Sequence, residues 1–505
     1  LKRKSVTSIV KHVLCIACVV PAFSQVQLPN LFSDHAVLQR DKPLPIWGWA
    51  KPGEIVTVSF HDQNARVTAD DVGCWKVWLK PEAAGGPYQL KVAGSSTLTV
   101  EDLLVGDVWL ASGQSNMEMP LKGWGPTTQV THGLQAIDTA GALKQVRLLR
   151  IEQESTDVPQ VDFKAKWSTS TPESAADFSA IAFFFGRELN QREHVPIGLI
   201  DSTWGGTPIE AWISLDGLSH DASLMPVFAS RAQFAREQIH LDRIIAGEDR
   251  EDAEAIKAGR PAPTHAWHAP EASWSPAAVY NGMVAPEAGY AIKGVIWYQG
   301  ESNATPDRGP MYARLMTTLI TDWRTRFAQG NVPFFFVQIA GWNGGELYGV
   351  VRDAQRRSLS LVNTGMATSL DVGDMTNVHP ADKPTVANRL ALAARAIAYG
   401  EAVEFSGPLF RQVSGENGAL RVWFDHADGL HSKGPELLGF EIAGADHKFF
   451  PAIANIDGKT VVVHSDSVPH PESVRYGWSG WTSANLYNKE GLPAPTFSSE
   501  SDPQH

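Results

Sequence analysis

Between Val105 and residue 400, compact apolar runs alternate with stretches of helical periodicity, and this constrains the fold more than any other feature. The runs are Asp107-Val-Trp-Leu-Ala-Ser, Val195-Pro-Ile-Gly-Leu-Ile-Asp, Ile292-Lys-Gly-Val-Ile-Trp-Tyr and Val332-Pro-Phe-Phe-Phe-Val-Gln-Ile. Strands this continuously apolar suit a parallel sheet covered on both faces. The intervening segments 178–192, 311–327, 350–360 and 383–399 read as helices. Strands alternating with helices in this way predict an α/β class, a doubly wound parallel sheet over 106–401.

Different patterns flank that region. Residues 25–105 alternate short β-rich runs such as Ile55-Val-Thr-Val-Ser-Phe and Trp75-Lys-Val-Trp-Leu with Gly- and Pro-containing turns. Period-two alternation with such turns predicts a small antiparallel β-sandwich. Runs such as Leu420-Arg-Val-Trp-Phe and Thr460-Val-Val-Val-His predict a second β module over 402–505. An insertion near 213–276 combines an Ala-, Arg- and Glu-rich helical stretch, 223–258, with a loop from Pro261 to Pro276. Loop insertions at the carboxyl end of such a sheet shape pockets, so Trp267 and Trp274 are candidates to line a sugar site.

Lys2, Arg3, Lys4 and Lys11 precede the apolar stretch Val13 to Val20, followed by Ala22-Phe23-Ser24. That order predicts a signal peptide over 1–24 and an exported protein, periplasmic or extracellular in a bacterium. Cleavage there removes two of the three cysteines and leaves Cys74, which excludes a disulfide framework. It also moves the net charge from −12 to −16, because those four residues are all basic. An acidic chain without a basic cluster argues against a nucleic-acid partner. No other apolar run reaches the length of a membrane span.

Four polar islands follow or abut the strand-like runs: Gly113-Gln114-Ser115-Asn116-Met117, Gly205-Gly206-Thr207, Gln299-Gly300-Glu301-Ser302-Asn303 and Val378-His379-Pro380. They contain what acyl transfer from a serine needs. Ser115, in the first turn after a strand, has an exposed hydroxyl and its own backbone N–H as an oxyanion donor. Gly205 and Gly206 offer unobstructed backbone N–H groups. Asn303 and Gln299 carry amides that can point to the same place, and oxyanion stabilisation requires several donors to converge. His379 is the general base such a serine requires.

These motifs in this order resemble the sialate O-acetylesterase-type SGNH hydrolases, a carbohydrate esterase group that includes xylan and xyloglucan acetylesterases. The resemblance spans most of residues 26–495. It implies Ser115 as nucleophile, Gly206 on the second block, Asn303 or Gln299 on the third, and His379 as the base. Many SGNH enzymes place the orienting acid three residues before the histidine, where this chain has Thr376. The acid is then Asp374, favoured because its loop can bring it behind the imidazole, or Glu301 or Asp371; a Ser-His dyad is the other arrangement. The implied activity is acetyl removal from carbohydrate without a cofactor or metal, since His265 and His268 lack a carboxylate at ligand spacing. Plant hemicellulose is the favoured substrate and O-acetyl sialate the alternative. A sialate carboxylate would call for a cation, for which Arg308, Arg314 and Arg352 are candidates. A non-catalytic carbohydrate-binding protein is the competing class, and glycoside hydrolysis, which needs two opposed carboxylates, the third.

Overall fold

A computed structural model describes residues 25–229, 232, 241–263, 265, 268 and 272–500. The expected leader, residues 1–24, and Trp267 lie outside the described residues.

Six parallel strands form the centre: β1 (Thr97–Gly113), β2 (Val146–Arg150), β3 (Ile197–Thr203), β4 (Gly294–Tyr298), β5 (Phe334–Gln338) and β6 (Thr364–Thr368). Their order is β6-β5-β4-β1-β3-β2, with the short antiparallel strand Ser168–Thr169 at the β2 edge. Every residue of β3, β4, β5 and β6 is buried, so the apolar runs are explained by cover on both faces. Chain order reverses at β1, which lies between β3 and β4. In open α/β sheets that switch point opens a crevice at the carboxyl ends of the strands.

The helices fall close to their expected places, at Ala180–Glu193, Tyr312–Phe327, Tyr348–Arg357 and Lys383–Ala393. Ala180–Glu193 packs against Lys383–Ala393, and Tyr312–Phe327 against Tyr348–Arg357. Ser179 caps the first of these, accepting from the Ala182 N–H at 3.2 Å while its hydroxyl donates to the Met117 carbonyl at 2.6 Å. One cap residue thus ties a core helix to the turn that carries Ser115. Within the insertion, Leu241–Lys257 is a helix.

Strand β1 runs across residue 105, where the sequence pattern changes. Its first part pairs antiparallel with Gly85–Ala93, and Leu104 to Gly106 also pair with Val37–Gln39. From Asp107 onward it is the central strand of the parallel sheet. The N-terminal β region and the α/β sheet therefore share one continuous strand. In a further pair, Cys74–Leu79 alternates between exposed and buried residues while its partner Leu44–Trp49 is buried almost throughout.

Beyond residue 405, antiparallel sheets enclose a hydrophobic core of their own, including Val422, Ile442, Val461 and Phe497. This region is fastened to the central sheet by polar contacts. Gln338, at the end of β5, accepts from the Thr496 N–H at 2.9 Å and donates to the Thr496 carbonyl at 3.1 Å. Arg352 is fully buried and donates to the carbonyls of Ile339, Ala340, Ser479 and Gly480, at 2.8–2.9 Å. Among the described residues, no helix is long and apolar enough to cross a membrane.

Candidate active site

All four polar islands meet at the carboxyl ends of β1, β3, β4 and β6. Strand β1 ends on Gly113 (φ 131°), where a Cβ would lie 2.2 Å from the Tyr298 carbonyl oxygen, so only glycine allows the approach. Next to it, the Gln114 N–H donates to that carbonyl at 2.9 Å. The Gln114 side-chain oxygen accepts from the N–H groups of Gly300 and Ser302 at 3.2 and 3.3 Å. Ser302 Oγ in turn donates to the Gly206 carbonyl at 2.8 Å. Glu118 Oε2 accepts from the Gly205 N–H at 2.5 Å, which fixes the glycine turn against the helix that begins at Ser115. The loops are thus hydrogen-bonded to one another.

At their centre, His379 Nε2 lies 2.8 Å from Ser115 Oγ. Burial, reinforced by the charge of Lys383, pushes the His379 imidazole down to about 4, so it is neutral near pH 7. A neutral imidazole nitrogen at this distance accepts the hydroxyl proton. Asn377 Oδ1 accepts from the His379 backbone N–H at 2.9 Å and sets the loop locally.

None of the three carboxylates expected behind the imidazole is hydrogen-bonded to it among the described residues. Asp374 Oδ1 accepts from the N–H and hydroxyl of Thr376, both at 2.8 Å, and from the Asn377 N–H at 3.1 Å. Those bonds hold its carboxyl below the usual range and make it a turn former within its own loop. Asp371 forms a two-point pair with Arg389 at 2.7 and 2.8 Å. Glu301 Oε1 accepts from Asn116 Nδ2 at 2.6 Å. The geometry at hand is that of a Ser-His pair.

Of the amides expected at the oxyanion position, Gln299 spends both its hydrogens within the fold and Asn303 spends one of its two. Gln299 is buried and donates both amide hydrogens, to Asn303 Oδ1 at 2.7 Å and the Thr207 carbonyl at 3.2 Å. Asn303, also buried, donates to Glu210 Oε2 at 2.9 Å, while its oxygen accepts from the Ile209 N–H at 2.9 Å. Four residues apart on one turn, the two amides satisfy each other and the backbone, a use their spacing does not distinguish from oxyanion binding. Gly206, by contrast, stands in the left-handed region (φ 74°), and its N–H meets no acceptor among the described residues. Ser115 is the first residue of its helix, where the N–H has no partner within the helix. These two N–H groups, with the second amide hydrogen of Asn303, which meets no acceptor among the described residues, are the remaining donors of the expected set.

Of the expected sugar-lining residues, Trp274 and Arg308 are in contact with each other. The Arg308 guanidinium lies over the Trp274 ring at 4.7 Å and pairs with Glu210 at 3.1 Å and Asp307 at 3.3 Å. Arg308 thus neutralises the carboxylate that holds Asn303. Arg314 bonds to Ser223 at 2.9 Å and Asp221 at 3.4 Å. In the insertion, His265 pairs with Asp252 at 2.9 Å and His268 with Glu248 at 3.0 Å, and no group of three potential metal ligands occurs among the described residues.

Sequence reasoning missed a buried connection behind the serine. Asn116 Nδ2 donates to Glu301 Oε1 and, at 3.0 Å, to the Val378 carbonyl next to His379. Asn116 Oδ1 accepts from Nζ of Lys383, which is fully buried. Burial pushes the Glu301 carboxyl up and the Lys383 amine down to about 7, while each charge draws the other back. Asn116 was visible beside Ser115, but Lys383 reads as one more polar residue at the start of a helix.

The chain is similar to known carbohydrate esterases along nearly its whole length. The carbohydrate esterase, sialic acid-specific acetylesterase family matches residues 265–397. Sialate O-acetylesterase of Mus musculus is 31% identical, with 93% of each chain covered. That of Homo sapiens is also 31% identical, covering 93% of this chain and 91% of its own. The crystal structure of a carbohydrate acetylesterase from Xanthomonas citri superposes with a TM-score of 0.80 at 37% identity, covering 94% of this chain and all of the other. With loops that join a serine to a neutral imidazole, and with this likeness along nearly its whole length, the chain belongs to the sialate O-acetylesterase family of carbohydrate esterases and is an ester hydrolase.

Proposed function

We propose that the protein removes O-acetyl groups from sugars through an acyl-enzyme on Ser115, with O-acetyl sialate as substrate and with the loop arrangement of an SGNH hydrolase. The observation that carries the mechanism is the 2.8 Å approach of Ser115 Oγ to His379 Nε2. Ser115 Oγ attacks the acetyl carbonyl as its proton passes to His379 Nε2. The developing oxyanion is met by the N–H groups of Gly206 and Ser115. Collapse expels the sugar oxygen, which takes the proton back from His379. Water, activated by the same imidazole, then releases acetate. The likeness to mammalian sialate O-acetylesterases supports the sialate reading. Acetylated xylan or xyloglucan is the second reading, favoured because Arg308, Arg314 and Arg352 are all engaged within the fold rather than available to a carboxylate. The basic and apolar order of residues 2–20 supports export, and the changes of pattern near 105 and 402 support the three-part division.

Acetate release should be measured side by side from O-acetyl sialic acid, acetylated xylan and acetylated xyloglucan. A tenfold higher kcat/KM on either hemicellulose would replace the sialate reading, and turnover of none of the three would remove the carbohydrate assignment.

Two further outcomes follow from the imidazole. Asp374→Asn should lower kcat by less than about tenfold, because Asp374 serves its own turn; loss of an acid coupled to the base costs about 10⁴. A fall near that size, with unchanged thermal unfolding, would restore Asp374 as the acid. The acid limb of kcat/KM should lie near pH 4, where His379 is protonated, rather than at about 6.5 for a free imidazole. The same burial makes the unfolded chain bind more protons between those values. This contribution to stability is therefore complete above about 6.5 and is lost as pH falls toward 4. Initial rates and denaturant midpoints from pH 4 to 8 test both, and a kinetic limb at 6.5 would contradict the assignment.

A further inference from the structure

Trp124 lies beside the reacting pair in a position that packing alone does not explain. Its ring meets the His379 imidazole edge-on, with centroids 4.9 Å apart and planes at 77°. Yet it is 42% exposed, whereas Trp109, Trp212, Trp297 and Trp323 are fully buried in the core. Of the other exposed indoles, Trp78 lies under the Lys76 ammonium and Trp423 donates to Ser414 Oγ, both in the flanking β regions. Trp124 Nε1 has no hydrogen-bond partner among the described residues, which leaves the indole both an open face and a free donor.

The loop beneath this ring is built to hold it. The Trp124 N–H donates to the Thr128 carbonyl at 3.0 Å, and Gly123 (φ 71°) and Gly125 (φ 108°) supply the turns on either side. The Thr131 N–H donates to the Ala381 carbonyl at 2.9 Å, so the loop is pinned two residues beyond His379. A Cβ placed on Gly125 would meet nothing within 4 Å beyond its chain neighbours, so the loop at this point faces open space. The same loop, through Lys122, Gly125, Gln129 and Val130, lines a neighbouring cleft of about 440 Å³ that His132 and Gln135 complete. Lys122 is already paired with Asp177, which leaves the cleft lined by amides, an imidazole and apolar surface.

We propose that Trp124 is a stacking platform for the uncharged pyranose ring next to the acetylated sugar, and that the cleft takes the continuing chain. A pyranose offers a C–H face to an aromatic ring and hydroxyls to a free N–H, so both open features of the indole find a partner. The edge contact with His379 makes this subsite continuous with the reacting centre and couples ring binding to the position of the base. Trp124 then acts on specificity for longer substrates.

This inference rests on the proposed carbohydrate deacetylation, and two measurements separate their failures. First, kcat/KM is compared for acetylated xylotetraose beside acetylated xylose, and for O-acetyl sialyllactose beside O-acetyl sialic acid. Trp124→Ala should reduce the oligosaccharide value at least tenfold more than the monosaccharide value, mainly through KM, with Trp124→Phe in between. An equal fall for both members of each pair would show that the indole only supports His379, and would overturn the proposal. Second, binding of unacetylated xylotetraose and sialyllactose to Ser115→Ala is followed by calorimetry, with and without Trp124→Ala. At least tenfold weaker binding without the indole supports the platform even where the wild type cleaves only p-nitrophenyl acetate, a result that would remove the proposed function alone. Binding that does not depend on the indole, or no binding, would overturn it.

Discussion

Ser115→Ala is expected to lower kcat for acetate release by roughly 10⁵, with unfolding unchanged, since removing the nucleophile of a coupled serine-histidine unit has effects of that order. The hydroxyl is half-buried and meets its base at 2.8 Å. Deleting it leaves the Gly206 and Ser115 N–H groups able to polarise an acetyl carbonyl, with no atom to attack it. His379→Ala should cost a similar factor, because an unassisted hydroxyl near neutral pH is a weak nucleophile. The double variant should then be scarcely worse than either single one, as groups acting in one step are far from additive. Release of p-nitrophenol from the acetate ester, with acyl-enzyme trapping by mass spectrometry, tests this. More than a few per cent of wild-type activity in Ser115→Ala, or multiplied losses in the double variant, would remove Ser115 from the chemistry.

The difference between what the sequence disclosed and what it concealed has a physical origin. Strands such as Gly294–Tyr298 and Phe334–Gln338 were legible because burial on both faces demands an unbroken apolar run, and that demand is written locally. The islands were legible because ligand sites of such sheets lie at the carboxyl ends of the strands, where these polar residues interrupt the apolar runs. The geometry of one 17-residue strand shared by two sheet regions was not, because the change of pattern near residue 105 reads as a boundary between elements when the chain only changes partners there. Among the site residues, the sequence discloses which groups a side chain carries but not which partners it takes. Gln299 has the amide an oxyanion needs, yet both its hydrogens go to Asn303 and to Thr207, far away in sequence, while Asn303 gives one of its two to Glu210. Asp374 sits close to His379 in the chain but takes the Thr376 and Asn377 N–H groups, because an aspartate followed by a turn satisfies its own loop first. Trp124 was hidden among seventeen tryptophans, most of which a core of this size absorbs.

Lys383→Met should be the most damaging change outside the reacting pair, costing about 3 kcal/mol of stability and lowering kcat more than it raises KM. Removing one partner of a buried charge pair leaves the other unneutralised in a site water does not reach. Here Glu301 would keep a buried oxygen, Oε2, that already lacks a partner among the described residues, and would lose the cation opposite it. Asn116 would lose the donor to its oxygen and with it the reason to aim Nδ2 at both Glu301 and the Val378 carbonyl. The His379 loop is then released from the Ser115 loop, which disturbs the base without touching the acyl donors. Lys383 also helps hold the imidazole low, so its loss should move the acid limb of kcat/KM upward from about 4. Adding Glu301→Gln removes the stranded carboxyl while retaining an oxygen for the Asn116 amide, and should restore at least about 1 kcal/mol, the coupling typical of residues in one network. Urea unfolding and pH–rate profiles of the two single variants and the double variant make the comparison. If Lys383→Met unfolds within about 0.5 kcal/mol of wild type and its acid limb stays in place, the buried lysine neither carries the charge balance nor sets the base; if the double variant is merely the sum of the singles, Asn116 does not couple them.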